Sequence, residues 1–270
     1  MFDLTLAKRA AVNLTAIREK KPLIHNITNY VVMNFTANTL LAMGASPVMA
    51  HAPNEVEEMV SLARALVINI GTLSDPWIDA MLLAGKKANG KGVPVVFDPV
   101  GSGATSLRTD TTRRIVRDLE LTVVRGNASE ILSIASSGTV TKGVDSLHDV
   151  EQVAEMAKST AKEINSVVAV TGKVDLITDG TKVIRCSNGH PMMGKVTGTG
   201  CAATATIAAF AAVTPDAMEA AAAGLAFFGL AGEMAAARAQ APGSFMIAMI
   251  DALYTMSPGD FQNRALLEKG

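Results

Sequence analysis

The chain has 270 residues, a formal net charge of −1 and 49% hydrophobic residues. This near-neutral charge, without a long basic cluster, argues against nucleic acid or an anionic membrane as a partner. Two cysteines, Cys186 and Cys201, are too few for a disulfide framework, and the amphipathic N-terminus lacks the apolar block of a secretory leader. The most apolar stretches, 201–213 and 220–232, are too short to span a bilayer. We therefore expect a soluble, cytoplasmic protein.

Short β-rich runs alternate with helical patterns along most of the chain. The predicted strands are 23–27, 46–50, 66–71, 93–98, 121–126 and 167–172. Most of them are near-continuous apolar runs, which is typical of strands covered on both faces. The segments 30–44 and 54–65 between them read as helices, the second with Asn54 as its N-cap and Glu57 as the capping-box partner.

This alternation predicts an α/β fold with a mostly parallel sheet and helices on both faces. Residues 175–189 read instead as a hairpin that turns at Asp179-Gly180, and the chain beyond residue 200 reads as nearly all helix. Because no Pro/Gly/Ser-rich linker, internal repeat or disordered tail is evident, we expect residues 1–270 to form one domain.

Polar residues recur where the predicted strands end. Asn26, Asp98, Arg125 and Thr171 each lie at the end of such a run, and the loop 198–201 would have to face the same edge. Ligands of open parallel sheets bind at the carboxyl ends of the strands. This recurrence predicts the position of a binding site.

Two of these segments carry carboxylates. Asp98 ends an apolar strand in "FDPVGSG", and Glu130 follows Arg125 in "RGNASEI". Arginine suits phosphate oxygens, and two carboxylates suit hydrated magnesium. The structural alternatives are that Asp98 caps a turn and that Glu130 is an ordinary acidic residue in the first turn of a helix capped by Asn127 or Ser129.

Two glycine-rich segments resemble nucleotide-binding motifs. The segment "GTGCAA" fits G-x-G-x-x-A, but it comes late and is followed by helices, so a dinucleotide fold is a poor interpretation. Residues 85–92, "GKKANGKG", imitate a Walker A loop, but Gly92 replaces the required Ser or Thr, and we expect a solvated turn there. The loop before Cys201 opens a helix, and helix N-termini bind anions.

Cys201 has three interpretations from the local sequence. It is a nucleophile, a proton acceptor whose pKa the helix N-terminus lowers, or an inert core residue. Asn26, Thr28 and Asn29 are expected to end a strand and cap a helix. Met49, at the end of the next strand, could line a pocket for a small aromatic ring together with an Asn.

Five segments together resemble the hydroxyethylthiazole kinase family of thiamine biosynthesis. They occur in order from about Lys21 to the C-terminal helices: "HNITNYVVMNFTANTLLAMGASPVMA", "FDPVGSGATSLR", "VVRGNASEI", "VAVTGKVDLITDG" and "VTGTGCAATATIAAF". The resemblance implies a ribokinase-like three-layer sandwich and phosphorylation of the alcohol of 4-methyl-5-(2-hydroxyethyl)thiazole by ATP with magnesium. It also implies a homotrimer with active sites between subunits.

The resemblance also implies roles for individual residues. Arg125 and Thr171 would contact nucleotide phosphates, and Asp98 and Glu130 would hold magnesium through water. The thiazole would contact Met49 and Gly198, with Asn26 nearby.

The glycine loop carries the expected catalytic groups. The backbone of Gly198, Thr199, Gly200 and Cys201 would stabilise the transferring phosphoryl group. In the wider superfamily an Asp at the Cys201 position takes the proton of the substrate hydroxyl.

Three alternatives compete with this interpretation. Dehydratases that repair hydrated nicotinamide nucleotides share the fold, but they should carry Asp in the glycine loop. A cysteine hydrolase would need no magnesium. A non-catalytic thiazole-binding protein would bind ligand without releasing ADP.

Overall fold

The computed structural model of the chain describes residues 4–135 and 150–270. The strands in these ranges are β1 (Leu23–Ile27), β2 (Ser46–Val48), β3 (Ala65–Asn69), β4 (Val95–Asp98), β5 (Val123–Asn127), β6 (Val167–Thr171), β7 (Asp175–Thr178), β8 (Val183–Cys186) and β9 (Leu267–Lys269). The helices are α1 (Leu4–Lys20), α2 (Met33–Met43), α3 (Val56–Leu62), α4 (Asp75–Lys91), α5 (Ser106–Asp118), α6 (Ala128–Leu132), α7 (Val150–Ile164), α8 (Thr199–Ala211), α9 (Ala217–Ala236), α10 (Pro242–Thr255) and α11 (Pro258–Arg264). A 3₁₀ turn, Pro191–Lys195, precedes α8.

The strands form one sheet in the order β2-β1-β3-β4-β5-β6-β7-β8-β9. The pairs from β2 to β6 are parallel, and the pairs from β6 to β9 are antiparallel. The mostly parallel sheet and the hairpin are thus confirmed. Strand β9 was not predicted, because its three residues are too short to show a periodic pattern.

Alternate strand residues face two separate layers of helices. Val96 packs into a core with α1, α2 and α8 to α11, whereas Val95 and Phe97 pack with α3 to α7 on the other face. Both faces of the parallel strands are buried, which is why their sequences are apolar without alternation. The predicted three-layer sandwich is confirmed.

The alanine-rich helices α8 and α9 pack closely against each other. A Cβ added to Gly224 would lie 2.7 Å from Cα of Ile207, so glycine is needed where the two backbones approach. Adding a methyl group to such a core costs about 1–3 kcal/mol. This contact holds α8 over β1, β3 and β4, against which it also packs.

Strand order reverses next to β1. The chain runs from β1 to β2 on one side and then returns to β3 on the other side, through helices on opposite faces of the sheet. Such a switch point leaves a crevice at the carboxyl ends of β1 and β3. Residues that follow β1 and β3 therefore line this crevice beneath α8.

Two local predictions were wrong. Helix α3 starts at Val56 without a side-chain cap, because the Ala52 carbonyl accepts the N–H groups of Glu55 and Val56; Asn54 and Glu57 form no capping box. Residues 85–91 are the last turns of α4 and not a solvated turn. Gly85 is buried there against the Leu119 side chain, and Gly92, at φ 66°, ends the helix.

The hairpin turn is longer than the Asp179-Gly180 pair suggests. Thr178 pairs directly with Val183, so residues 179–182 form the connection. Oδ1 of Asp179 accepts the N–H groups of Thr181 and Lys182 at 2.8 and 2.7 Å.

No helix within the described part of the chain is long and apolar enough to cross a membrane.

Candidate active site

The glycine loop presents an open helix N-terminus. Gly198, the N-cap of α8, has φ 85°, and a Cβ there would lie 2.6 Å from Cγ1 of Val32, so both backbone conformation and space require glycine. The first intrahelical bond runs from Ala202 N–H to the Gly198 carbonyl. By helix geometry, the N–H groups of Thr199, Gly200 and Cys201 therefore have no acceptor within the helix and can bind an anion.

Arg125 is held beside this helix terminus. Its Nη2 donates to Oγ1 of Thr171 at 2.6 Å, across the parallel strands β5 and β6. A Cβ on Gly200 would lie 2.7 Å from Nη1, so the guanidinium rests against the start of α8. Its Nε is buried without a hydrogen-bond partner among the described residues. Arg125, Thr171 and Gly200 thus lie together and form a candidate anion-binding corner.

Asp98 is fully buried at the end of β4. Its Oδ2 accepts hydrogen bonds from Nδ2 of Asn69 at 2.8 Å and Oγ1 of Thr204 at 2.9 Å. Its Oδ1 has no such donor in the described structure and lies 3.8 Å from Nη1 of Arg125. Burial raises the pKa of Asp98 to about 6; Arg125 opposes this shift and the charge of Glu130 adds to it.

Glu130 serves a structural role in the unliganded chain. Its Oε2 accepts the N–H of Asn127 at 2.8 Å while Oδ1 of Asn127 accepts the N–H of Glu130 at 2.9 Å, which completes a capping box at the start of α6. Its Oε1 accepts the N–H of Gly101 at 2.9 Å and so ties the loop after Asp98 to this helix. The structural interpretation of Glu130 is confirmed, and its charge also reaches Asp98.

The two carboxylates suit a hydrated magnesium ion. Oδ1 of Asp98 is buried with no hydrogen-bond donor, and each oxygen of Glu130 accepts one backbone N–H and retains a second lone pair. Within residues 4–135 and 150–270, no three acidic, His or Cys side chains converge as a metal cage. Magnesium is commonly held by one or two carboxylates with waters and substrate phosphates, so the residues present fit it.

Cys201 occupies the third position of α8 and is partly buried. Its Sγ lies 3.5 Å from Nδ2 of Asn29. Burial, with the charge of Asp98, raises the pKa of Cys201 to about 11. The prediction of a lowered pKa was wrong, because burial and the nearby Asp98 carboxylate raise it. The thiol is therefore protonated at neutral pH.

Three site residues were missed by the sequence analysis. Asn29 was expected to cap a helix, but α2 starts after Val32 without a side-chain cap, and Asn29 donates to Oδ1 of Asn69 at 2.9 Å. Asn69 is the last residue of β3, but Ile70 follows it, so the apolar run does not stop there as it does at Asp98. Thr204 lies three residues after Cys201, on the same face of α8.

A cavity of about 680 Å³ opens beside the anion-binding corner. Its walls include Arg125, Thr171, Asp175 and His190, and it reaches the start of α8 at Gly200. This volume lies within the range of small-molecule sites. Asp175 accepts the N–H of Gly172 at 3.0 Å, and burial raises the pKa of this carboxyl to about 6.

No hydrogen bond of the described structure links Asn26 or Met49 to the glycine loop. Nδ2 of Asn26 donates to the carbonyl of Ile24 at 2.8 Å, and its Oδ1 is buried without a partner there. Met49 follows β2, the edge strand, which β1 and β3 separate from β4. At a spacing of about 4.8 Å between neighbouring strands, β2 lies about 14 Å from β4. Their contact with a substrate stays a prediction.

Known proteins similar to this chain agree with the site geometry. A model of the "HK: Hydroxyethylthiazole kinase family" matches residues 14–259. The hydroxyethylthiazole kinase of Desulfotalea psychrophila is 58% identical over 261 residues, which are 97% of this chain and 93% of that protein.

Solved structures agree with the sequence comparison. The hydroxyethylthiazole kinase protein of Pyrococcus horikoshii OT3 superimposes with a TM-score of 0.90 at 43% identity, over 97% of this chain and 99% of that one. A ribokinase-like superfamily protein of Enterococcus faecalis V583 has a TM-score of 0.64 at 12% identity, over 93% and 94% of the two chains, and shows the fold alone. The chain belongs to the hydroxyethylthiazole kinase family, as its sequence motifs predicted.

Proposed function

We propose that the chain transfers the γ-phosphoryl group of ATP to the hydroxyl of 4-methyl-5-(2-hydroxyethyl)thiazole, with magnesium. One observation carries the chemistry beyond family membership. The Arg125 guanidinium, tied to Thr171, lies against Gly200 at the open N-terminus of α8. A fixed cation and unpaired backbone N–H groups then face the same point, which is what a transferring phosphoryl group requires.

The reaction makes and breaks one bond each at phosphorus. The substrate hydroxyl oxygen bonds to the γ-phosphorus as its bond to the ADP oxygen breaks. The N–H groups of Thr199, Gly200 and Cys201 face the phosphoryl oxygens, and Arg125 offsets their charge from the side. Phosphoryl transfer passes through a loose transition state, so positioning and charge stabilisation account for most of the catalysis.

Cys201 contacts the attacking hydroxyl in this proposal, but it does not serve as a ready base. Its thiol is protonated in the unliganded protein because burial raises its pKa to about 11. A loose transition state does not require the hydroxyl proton to leave first. The proton passes to the transferred phosphoryl group and from there to solvent. Replacing Cys201 by Ser would retain activity within about tenfold if this is correct, and a loss of several orders of magnitude would restore Cys201 as the base.

Asp98 and Glu130 would hold magnesium in this proposal, both through water. When bound, the ion neutralises the negative charge of the phosphates. The double variant Asp98→Asn with Glu130→Gln should need more magnesium for half-maximal binding of ATP, measured by calorimetry. An unchanged magnesium titration would overturn the assignment.

We further propose a homotrimer in which Met49 and Asn26 complete the thiazole site, with Gly198, across a subunit boundary. Two observations support this. Met49 lies at the sheet edge, and next to the same end of β1 the side chains of Tyr30 and Val31 are 65% and 68% exposed.

Mixing two inactive variants tests the shared site. Met49→Arg and Arg125→Ala subunits are unfolded together, refolded together and assayed. If Met49 and Arg125 of one site come from different subunits, a 1:1 mixture regains about one quarter of the sites. If both come from the same subunit, the mixture stays as inactive as its parts. Sedimentation equilibrium gives the number of subunits independently.

One coupled assay tests the reaction itself. Release of ADP that depends on the thiazole alcohol, ATP and magnesium is the expected result. Thiazole binding without ADP release would indicate a binding protein, and dehydration of hydrated nicotinamide nucleotide would indicate the dehydratase. Hydrolysis that needs no magnesium and is blocked by iodoacetamide would indicate a cysteine hydrolase.

A further inference from the structure

Asn69 connects Asp98 with the neighbourhood of Cys201. It is fully buried at the end of β3, directly opposite Asp98 in the strand register. Both the nitrogen and the oxygen of its side-chain amide form hydrogen bonds. Its Nδ2 donates to Oδ2 of Asp98 at 2.8 Å, and its Oδ1 accepts from Nδ2 of Asn29 and from the Gly71 N–H, both at 2.9 Å.

The orientation of this amide is set by a backbone group. The N–H of Gly71 can only donate, so the Asn69 atom beside it must be the carbonyl oxygen. The amide nitrogen must then face Asp98. Asn69 therefore presents a donor to this carboxylate in every arrangement that keeps the Gly71 contact.

Thr204 donates to the same carboxylate oxygen from α8. Its Oγ1 lies 2.9 Å from Oδ2 of Asp98 and 3.3 Å from the Gly200 carbonyl, so the carboxylate contact is the shorter one. With two donors on Oδ2, the other oxygen, Oδ1, is directed toward Arg125, 3.8 Å away. The two donors thus decide which oxygen of Asp98 faces the anion-binding corner.

The side chain of Asn29 connects Asn69 to the thiol of Cys201. One hydrogen of the Asn29 amide points to Oδ1 of Asn69, and the same nitrogen lies 3.5 Å from Sγ of Cys201. Asn29 fits there because Gly71 has no side chain: a Cβ would lie 2.6 Å from Nδ2 of Asn29. The amide of Asn29 thus has one orientation in which it serves both neighbours.

We infer that Asn69 is a positioning residue. Together with Thr204, it directs Oδ1 of Asp98 toward the anion-binding corner. Through Asn29, it also holds a hydrogen-bond donor at the thiol of Cys201. The inference rests on the proposed function for the roles of Asp98 and Cys201. It assigns to Asn69 no contact with substrate.

Two threonines of α8, one of them a matched control, test whether the orientation of the Asp98 carboxylate matters. Thr204 and Thr206 are both fully buried, but in the described part of the chain the Thr206 hydroxyl bonds only to the Ala202 carbonyl of its own helix. Replacing Thr204 by Val should lower kcat about tenfold, the effect of one charge-assisted hydrogen bond, with KM values changed less than about twofold. Thr206→Val should keep the wild-type kcat. Equal kcat values for the two variants would overturn this part of the inference.

The contact with the thiol is tested by alkylation of the unliganded protein. We expect iodoacetamide to label Cys201, which is partly exposed, and not Cys186, which is fully buried. A donor at sulfur stabilises the thiolate, so Asn29→Ala and Asn69→Ala should each slow alkylation about fivefold. A merely structural role would loosen the site and speed alkylation, so faster or unchanged rates would each overturn this part of the inference.

The alkylation measurement separates this inference from the proposed reaction. Alkylation is measured without ATP or thiazole, so its outcome stands even if the coupled assay shows no ADP release. Thermal melts accompany each variant. If Asn69→Ala does not fold, Asn29→Ala alone tests the contact with the thiol, and the threonine pair tests the orientation of the Asp98 carboxylate.

Discussion

The guanidinium of Arg125 lies directly against Gly200, and a Cβ at Gly200 would come within 2.7 Å of Nη1. The first turn of α8 and the end of β5 are therefore fitted to each other at the place where we propose that the phosphoryl group binds. The contact allows a cation and the N–H groups of a helix terminus to reach the same anion without separating.

Gly200→Ala should displace Arg125 and weaken nucleotide binding. The methyl group cannot be accommodated while Nη2 keeps its 2.6 Å bond to Thr171. We expect KM for ATP to rise about tenfold, as for loss of a charged hydrogen bond. Gly90→Ala is the control, since Gly90 lies in a helix with nothing within 4 Å of an added Cβ. Wild-type KM for ATP in Gly200→Ala would show that the Arg125 contact is irrelevant.

The thiol of Cys201 should react as a weak acid. Because burial raises its pKa to about 11, the alkylation rate of the unliganded protein should keep rising from pH 7 to pH 10. Cys201→Ser should take up almost no label over the same range, because Cys186 is buried. The rate is measured by mass spectrometry at each pH. A plateau below pH 8 would mean that the helix terminus prevails over burial.

The glycine loop and the thiol of Cys201 show what the sequence could and could not predict. Strand ends and the glycine loop were identified because apolar runs that stop at polar residues are a local signal. The thiol pKa was missed because burial and Asp98 act on Cys201 only after folding brings β4 beneath α8. A rule about helix termini carries no information on either effect.

The same limit explains the capping errors and the missing residues. Asn54 and Asn29 have the residue type of caps, but the Ala52 carbonyl and the Asn69 side chain provide other partners. Asn69 itself is one polar residue among many until the register places it opposite Asp98. Met49 depends on a neighbouring subunit in our proposal, so a single chain does not test it.

Asp175 should make stability depend on pH between about 4 and 6. Burial raises its pKa from 3.8 to about 6, so the folded state keeps a proton that the unfolded state releases in this range. Stability is therefore lost as the pH rises through this window, by up to about 3 kcal/mol. Asp175→Asn should reduce the slope.

Urea unfolding of the unliganded protein from pH 4 to pH 7 measures this slope. Asp110→Asn, at a carboxylate whose side chain is 71% exposed, is the control and should leave the slope as in the wild type. Equal slopes for Asp175→Asn and wild type would show that the native pKa of Asp175 is not raised.

Arg108 joins the two strand ends that carry Asn69 and Asp98. Its Nη1 donates to the carbonyls of Ile70 and Val100 at 2.9 and 2.6 Å, and its Nη2 donates to the carbonyl of Gly71 at 2.8 Å. Lysine carries the same charge but not the planar fork, so it cannot reach all three acceptors.

Arg108→Lys should therefore destabilise the fold by about 1–3 kcal/mol, because partly buried carbonyls lose their donors. It should also lower kcat, since the loops after β3 and β4 position the Asn69 and Asp98 side chains. Arg113→Lys is the matched control on α5: its side chain is 57% exposed, and the change should stay within about 0.5 kcal/mol. Both quantities come from urea unfolding and steady-state assays of the same samples. Equal stability and kcat in the two variants would show that the strand ends hold their positions without Arg108.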